Sequence, residues 1–250
     1  MSPMAPAGFG NRVEGIHAVT AAAQAGRIRT LWVEKRRLGR PGVSDIVAGL
    51  DPSIVRTVQD VRTQAETDTP QGVVADCSPI LPVALDSLAG EEAAVLVLDH
   101  IEDPHNVGAI ARTAVAAGID GMVVSARRAA PLSAVAFKSA SGALEKLPVA
   151  VVGSIPEALS RLKEDGLWVV GLDARGDASL FGLKLLTEPV ALVIGAEGEG
   201  LATLTAKRCD VIASIPMAVD SESLNASISA ALASFEIMRV RTPLEDGAPG

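Results

Sequence analysis

The chain has 250 residues, of which 48% are hydrophobic and 21% charged, and a formal net charge of −8 at pH 7. This composition is typical of a globular protein, and no apolar run approaches the roughly 20 residues that a membrane span needs. The first ten residues lack the pattern of a signal peptide and the two cysteines lie far apart, which argues against a disulfide framework or a zinc motif and predicts a cytoplasmic protein without a bound metal.

The charge is unevenly distributed along the chain. Residues 1–62 contain nine arginines or lysines and five acidic residues, so the rest of the chain is strongly acidic. A basic amino-terminal segment predicts a partner with phosphate groups at that end, despite the negative total. Aromatic residues make up only 2%, so base stacking on an aromatic platform is not expected.

The amino-terminal part has the pattern of a small α/β module over residues 11–76, after a disordered start over residues 1–10. Its basic run, Lys35, Arg36, Arg37 and Arg40, follows a predicted strand. Such a run is usually a solvated loop, but at this place it is also suited to binding a phosphate backbone. The predicted elements are a helix over residues 15–26, a strand over 30–33, a helix over 44–50, a strand over 54–58, a helix over 59–66 and a strand over 72–75.

Two prolines and a polar segment predict a linker over residues 77–92. Residues 93–242 then alternate strands and helices, which predicts a mostly parallel sheet with helices on both faces, and residues 243–250 are expected to be a flexible tail. The predicted strands cover residues 95–98, 122–124, 149–152, 167–173, the segment ending at Gly195, and 211–217. The predicted helices follow Asn106, cover residues 133–140, 156–164 and 201–207, and begin again near Leu224. In the last helix Ile228, Ala231, Leu232, Phe235 and Met238 form one apolar stripe.

A polar loop, Asp99–Asn106, lies at the carboxyl end of the first of these strands, where open α/β sheets bind ligands. Arg112 is the charged residue on the small, apolar helix that follows, and taken alone it is more often a solvated arginine than a catalytic one. His100, Asp103 and His105 could suggest a metal site, but without a second ligand cluster a solvated loop is the better interpretation.

Two further polar loops follow buried strands. In GAEGEGL, the glycines at 195, 198 and 200 permit close backbone approach, while Glu197 and Glu199 make the loop a poor phosphate cradle. The loop is therefore either a site for a cationic ligand or a tight acidic turn that caps a helix. In the last loop, Ser223, Asn225 and Ser227 lie around the start of a predicted helix. One of them is enough for an N-cap, so three polar side chains exceed what capping needs.

These loops together resemble the SpoU branch of the SPOUT RNA methyltransferases. NVGAIARTAVAAG is similar to the first motif of that family, IGAEGEGL to the second and IPMAVDSESLNASISAAL to the third, in the family's order and spacing. The similarity continues through KSASGALEKLPV and the amino-terminal GIHAV and QGVVA, so it covers about residues 15–238.

The resemblance implies a parallel α/β domain whose carboxyl-terminal segment forms a trefoil knot, an exception to the usual unknotted topology. It implies S-adenosylmethionine bound in that knot, a homodimer with the active site near the subunit interface, and an RNA substrate-binding amino-terminal domain similar to a ribosomal protein. Val219 departs from the family, whose members usually have glycine there. The cofactor-binding residues that the resemblance implies are Gly195, Ile215, Met217 and Leu224. The catalytic residues that it implies are Asn106, Arg112, Glu197, Ser223 and Asn225, with Arg112 orienting the target ribose and phosphate.

The expected activity is therefore S-adenosylmethionine-dependent 2′-O-methylation of a ribose, a guanosine in large-subunit ribosomal RNA being favoured. The same reaction on tRNA is an alternative, although the minimal tRNA enzymes of this branch lack the amino-terminal module. A non-catalytic RNA-binding protein on the same fold and an unrelated small-molecule enzyme are further alternatives.

Overall fold

A computed structural model describes residues 8–127, 132–218 and 224–242. Val219, Ser223, the tail over residues 243–250 and most of the predicted disordered start therefore lie outside the described residues. The chain forms two compact units, and neither is continuous in sequence. The first unit contains residues 1–82, 103–112 and 130–147, and the second contains residues 83–102, 113–129 and 148–250. The domain boundaries predicted from the sequence stay a prediction.

The strands are β1 (Arg12–Glu14), β2 (Ile28–Glu34), β3 (Val55–Val58), β4 (Val73–Cys77), β5 (Ala94–Leu98), β6 (Gly121–Ser125), β7 (Val149–Val152), β8 (Trp168–Leu172), β9 (Ala178–Ser179), β10 (Val190–Ile194) and β11 (Val211–Ser214). The helices are α1 (Ile16–Gln24), α2 (Val43–Ala48), α3 (Pro104–Ala116), α4 (Ala134–Ala140), α5 (Ile155–Glu164), α6 (Thr203–Ala206) and α7 (Ala226–Arg241).

The first unit is built on a four-stranded mixed sheet in the order β1-β4-β2-β3. β4 pairs antiparallel with both β1 and β2, whereas β2 and β3 are parallel. Leu31, Val33, Val73 and Ala75 are fully buried in this sheet. The expected small α/β module is confirmed, with β1 as a strand that the sequence did not reveal because three residues are too few for a pattern.

The helix predicted over residues 59–66 is wrong. Its backbone donors are bound by carboxylates: Arg62 N–H donates to Asp60 Oδ1 at 2.9 Å, and Glu14 accepts from the backbone N–H groups of Glu66 and Thr67. Glu14 itself is fully buried. Side chains that accept hydrogen bonds from backbone N–H groups compete with the hydrogen bonds of a helix. In this segment the side-chain contacts form and the helix does not.

The second unit contains a seven-stranded sheet in the order β7-β6-β5-β10-β8-β11-β9, in which every pair is parallel. All residues of β5 and β10 are buried, which explains why these strands are continuous apolar runs rather than alternating ones. The predicted parallel sheet with helices is thus confirmed. The carboxyl-terminal segment that is predicted to form the knot includes residues 219–223, which lie outside the described residues.

The apolar stripe of α7 faces outwards. Ile228, Leu232, Phe235 and Met238 are between 37% and 50% exposed, whereas the buried face carries mainly small residues. Ala226, Ala230, Ala233 and Ser234 are among these buried residues. In the part of the chain that the structure describes, no helix is long and apolar enough to cross a membrane.

Candidate functional site

A cavity of about 360 Å³ lies in the second unit at the carboxyl ends of three parallel strands. Asp173 follows β8, Gly195 follows β10 and Ile215 follows β11, and all three residues line the cavity. Leu224 and Ala226, at the start of α7, close it from another side. Its size falls in the roughly 300–1,000 Å³ range of small-molecule sites, and its position is the usual ligand site of an open parallel sheet.

All four residues that the sequence predicted to bind the cofactor line this one cavity. They are Gly195, Ile215, Met217 and Leu224. They belong to three chain segments that only the fold brings together. Leu172, Ile194 and Ala213 add apolar side chains to the same lining.

The acidic loop of the second motif, residues 196–200, is a tight turn on the cavity wall. Gly200 N–H donates to the carbonyl oxygen of Ala196 at 2.9 Å, and Gly198 and Gly200 have φ angles of +80° and +71°. A Cβ on Gly195 would lie only 2.3 Å from the carbonyl group of Gly200. Glycine is therefore required in this loop for backbone conformation and for close packing.

Asp99 binds the backbone two residues after this loop, at the start of α6. Its carboxylate is fully buried at the end of β5, where Oδ2 accepts from the backbone N–H of Ala202 at 2.9 Å. Oδ1 lies 2.7 Å from His100 Nδ1. The sequence placed Asp99 in a polar loop but gave no sign that it would support the acidic turn about 100 residues later.

Asn225 combines two roles in the third motif. Its Oδ1 accepts from Ser227 N–H at 2.8 Å and caps α7, while its Nδ2 donates to Glu197 Oε2 at 3.4 Å. The first contact is the structural role that the sequence suggested. The second brings together two of the predicted catalytic residues; Ser223, a third, lies outside the described residues.

Asp173 and Arg175 form an ion pair at the cavity that sequence reasoning missed. Arg175 donates from Nε to Asp173 Oδ1 at 3.0 Å and from Nη2 to Oδ2 at 3.1 Å. These hydrogen bonds lower the pKa of the Asp173 carboxyl below its ordinary value, so it stays ionised at neutral pH. The loop carrying the pair had no motif that could have signalled it.

The first unit contains the other predicted catalytic residues, Asn106 and Arg112, on α3. Arg112 is exposed, and its Nη1 lies 3.5 Å from Ser141 Oγ. Ser141 follows α4 with a φ of +50°. Gly108 allows α3 to contact α4 closely, because a Cβ there would be 2.3 Å from the carbonyl oxygen of Ala136. The small residues of α3 thus serve packing, and Arg112 lies on a helix that packs closely against α4.

The basic run forms a single 3₁₀ turn, Lys35–Arg37, directly after β2. Arg36 Nε donates to Glu34 Oε2 at 2.7 Å, yet the Arg36 side chain remains 74% exposed. Lys35 and Arg40 are also exposed, and Arg37 is half-buried. The predicted RNA-binding residues therefore present positive charge at the end of a strand.

The residues once considered as metal ligands have other contacts. His105 Nδ1 lies 3.0 Å from Ser139 Oγ, and His100 Nδ1 contacts Asp99. Among the described residues, no group of three or more histidine, cysteine, aspartate or glutamate side chains is arranged to hold a metal ion. Burial raises the pKa of Cys77 and of Cys209 to about 12, so both thiols stay protonated.

Comparison with known families gives two matches. The model of the SpoU rRNA Methylase family matches residues 93–235. A model described as RNA 2′-O ribose methyltransferase substrate binding matches residues 12–82. Together they extend over most of the chain.

Similar proteins cover almost the whole length. The 23S rRNA (guanosine-2′-O-)-methyltransferase RlmB of Pseudomonas aeruginosa is 39% identical over 246 residues, which are 94% of this chain and 98% of that protein. The SpoU methyltransferase AviRb from Streptomyces viridochromogenes, solved in complex with the cofactor AdoMet, superposes with a TM-score of 0.76 at 26% identity, covering 92% of this chain and 89% of that one. An AdoMet-bound rRNA methyltransferase from Sinorhizobium meliloti has the same TM-score at 27% identity, covering 92% of this chain and 87% of that one.

Proposed function

We propose, from the premise that the chain belongs to the SpoU rRNA Methylase family, that it methylates the ribose 2′-hydroxyl of a guanosine in 23S ribosomal RNA with S-adenosylmethionine as methyl donor. The observation that carries the proposal is the near full-length similarity to an enzyme named for this reaction. The match to a substrate-binding domain over residues 12–82 further supports a structured RNA substrate.

The cavity in the second unit fits the cofactor. Apolar side chains such as Ile194, Ile215 and Leu224 suit an adenine ring, and the glycines of the acidic loop leave backbone groups accessible to polar atoms. Glu197 and Glu199 complement a ligand with positive charge, and S-adenosylmethionine supplies a methyl group activated by a positively charged sulfur. Gly195, Ile215, Met217 and Leu224 are the residues that we propose to hold it.

The protein's own part in the reaction is to position the ribose and to help its hydroxyl lose a proton. A ribose hydroxyl is a weak nucleophile, so alignment contributes a large share of the rate. We assign Arg112 to binding the target phosphate and ribose, since a guanidinium with a pKa above about 12 is a poor base. Asn106 on the same helix, with Glu197, Ser223 and Asn225, completes the proposed catalytic set.

The basic turn Lys35–Arg37 and Arg40 supply the proposed RNA contacts of the first unit. Exposed guanidinium groups bind phosphates through paired hydrogen bonds, independent of base sequence. Ribosomal RNA as substrate also means that we expect the protein to act in the cytoplasm.

We further propose that the protein is a homodimer. The supporting observation is the exposed stripe of α7, Ile228, Leu232, Phe235 and Met238, on one side of a single helix. Contiguous exposed apolar patches on a helix usually mark a contact surface. The start of the same helix lines the proposed cofactor cavity.

The proposal is tested by mapping 2′-O-methylated nucleotides by mass spectrometry in ribosomal and transfer RNA from cells with and without this protein. We expect one 23S guanosine to lose its methyl group and to regain it when the wild-type chain, but not the Arg112→Ala variant, is supplied. Arg161→Ala, an exposed arginine of α5, is the matched control and should restore the methyl group. Loss of a tRNA methyl group instead would contradict the proposed substrate, and no loss in either pool would contradict the proposed reaction.

A further inference from the structure

The cavity in the second unit has an uneven charge lining. Three carboxylates line it, those of Asp173, Glu197 and Glu199. Among the described residues of the lining, Arg175 is the one positively charged side chain. A lining of this kind favours a ligand that is positive overall but carries one negative group.

The cofactor of the proposed function has that charge pattern. The amino-acid end of S-adenosylmethionine bears an ammonium and a carboxylate beside the positive sulfur. Because Asp173 is paired with Arg175, the carboxylates of Glu197 and Glu199 are the ones that complement the two positive groups, whereas the carboxylate of the ligand needs a donor of its own. A polyanion such as an RNA strand would be repelled by the same three carboxylates.

Arg175 is held in a defined orientation. Its Nε and Nη2 bind the two oxygens of Asp173, and its backbone N–H donates to Asp173 Oδ1 at 2.9 Å. Asp173 is fixed in turn: its side chain is only 10% exposed, and a Cβ on Gly200 would lie 2.5 Å from its Oδ2. The guanidinium plane is thereby set by a partner that packs against the acidic loop.

The guanidinium of Arg175 also has N–H groups that Asp173 does not bind. The Arg175 side chain is 82% exposed, and its Nη1 has no hydrogen-bond partner among the residues that the structure describes. An arginine that one carboxylate orients, with its other donors open at a cavity, is arranged to bind a second carboxylate.

We propose that Arg175 is a cofactor-binding residue that pairs with the α-carboxylate of the amino-acid end of S-adenosylmethionine, and that Asp173 positions it. This inference rests on the proposed function, since it assumes that the cavity binds that cofactor. It assigns a contact in the loop after β8, outside the three motifs that the sequence singled out.

The test uses two ligands that share an adenosine thioether and differ at the amino-acid end. S-adenosylhomocysteine, the demethylated product, has the α-carboxylate, whereas 5′-methylthioadenosine has a methyl group in place of the whole amino-acid end. Binding of each is measured by titration calorimetry on the full-length wild-type protein, Arg175→Ala, Arg175→Lys and the control Arg161→Ala. Thermal melting shows whether each variant is folded.

We expect Arg175→Ala to weaken S-adenosylhomocysteine by about ten- to a hundredfold, the range for a lost hydrogen bond between charged groups. Methylthioadenosine should bind the variant within about twofold of wild type. Arg175→Lys should retain part of the affinity because it keeps the charge but loses the fork to Asp173. Arg161→Ala should change neither ligand.

The other outcomes overturn the inference in distinguishable ways. Equal weakening of both ligands would mean that Arg175 supports the shape of the cavity, and no weakening of either would mean that it makes no contact with the cofactor. Unchanged binding with a raised KM for RNA would assign Arg175 to a phosphate of the substrate. If wild type bound neither compound, the proposed function itself would fail, and the inference with it.

Discussion

Asn225 shows how one side chain can serve the fold and the site at once. Its Oδ1 caps α7 while its Nδ2 reaches Glu197. A capping role needs only an oxygen, so aspartate replaces asparagine at this position with little loss. The contact to Glu197 needs a donor, which aspartate lacks.

We therefore expect Asn225→Asp to keep the melting temperature within a few degrees of wild type while methyl transfer falls by about tenfold or more. Asn225→Ala should in addition lose roughly 0.5–2 kcal/mol of stability, the usual value of an N-cap. Differential scanning calorimetry and transfer of labelled methyl groups to RNA measure the two effects. Wild-type activity in Asn225→Asp would show that donation to Glu197 has no part in the reaction.

The motifs of the sequence predicted several residues of this site, but not the residues that hold the site in place. Gly195, Ile215, Met217 and Leu224 were predicted from the resemblance to the SpoU family, and they line one cavity. Asp99 and Asp173 support the cavity through contacts to residues 202 and 175, which lie in no recognised motif. Single hydrogen bonds formed across a fold leave no periodicity in the sequence, so pattern analysis does not detect them.

At the scale of the element, Glu236 fixes α7 to the segment that follows β9. Its side chain is only 4% exposed, accepts from Gly182 N–H at 2.8 Å and binds Arg239 at 2.7 Å. The hydrogen bonds from Arg239, with that from Gly182, lower the pKa of the Glu236 carboxyl below its ordinary value of 4.5. The charged form is therefore the one that the folded protein stabilises.

A lowered pKa of this kind contributes stability that is fully present above the unfolded pKa and lost as the pH falls through the folded pKa. Glu236→Gln should lower the free energy of unfolding by about 1–2 kcal/mol at pH 7, a value kept modest because Arg239 is itself well exposed. The difference from wild type should shrink below about pH 4. Urea unfolding at pH 7 and pH 3.5 measures it, with Glu164→Gln, on the exposed end of α5, as the control; a difference independent of pH would contradict the ionic role.

The stripe of α7 allows a matched test of the proposed dimer. Leu232 lies in the stripe and Leu204 lies on α6 outside it, and both are exposed leucines. Leu232→Glu should convert a dimer to a monomer in sedimentation equilibrium, because a charge in an apolar interface loses its hydration. Leu204→Glu should leave the mass unchanged. A wild-type protein that sediments as a monomer would refute the dimer.

The pattern of α7 illustrates what a period can and cannot predict. Apolar residues at helical spacing correctly indicate a helix, and α7 is present as expected. The apolar stripe of this helix faces outwards, and the buried side carries mainly small residues, together with Glu236 and Ile237. The helix predicted over residues 59–66 is absent although the composition of the segment favours a helix. Asp60 and Glu14 accept hydrogen bonds from the backbone N–H groups of residues 62 and 66, which a helix would need for its own hydrogen bonds.

At the scale of the whole molecule, the charge is divided between a basic amino-terminal segment and an acidic remainder. We expect the triple variant Arg36→Ala, Arg37→Ala, Arg40→Ala to weaken RNA binding and to reduce the slope of log affinity against log salt by about two to three, since each phosphate contact contributes about 0.7–0.9. Filter binding across a salt series measures the slope. Affinity for S-adenosylhomocysteine should not change.

The control for this prediction is a triple variant in the second unit, Arg161→Ala, Lys207→Ala and Arg208→Ala, which removes the same charge from exposed positions. It should leave the slope near that of wild type. An equal loss in both variants would mean that RNA responds to net charge alone and not to the basic turn. The fold class, in contrast, was predictable at this scale, because alternating strands and helices allow few arrangements.

The cavity also has a consequence for how the protein is made. Its lining begins at Leu172 and is not complete until Ser229, on the last described helix. During synthesis, the three strands that form its floor emerge before the residues that close it. A growing chain therefore has no finished binding site until translation has passed residue 229, and a ligand that stabilises the folded state by mass action helps only after that point.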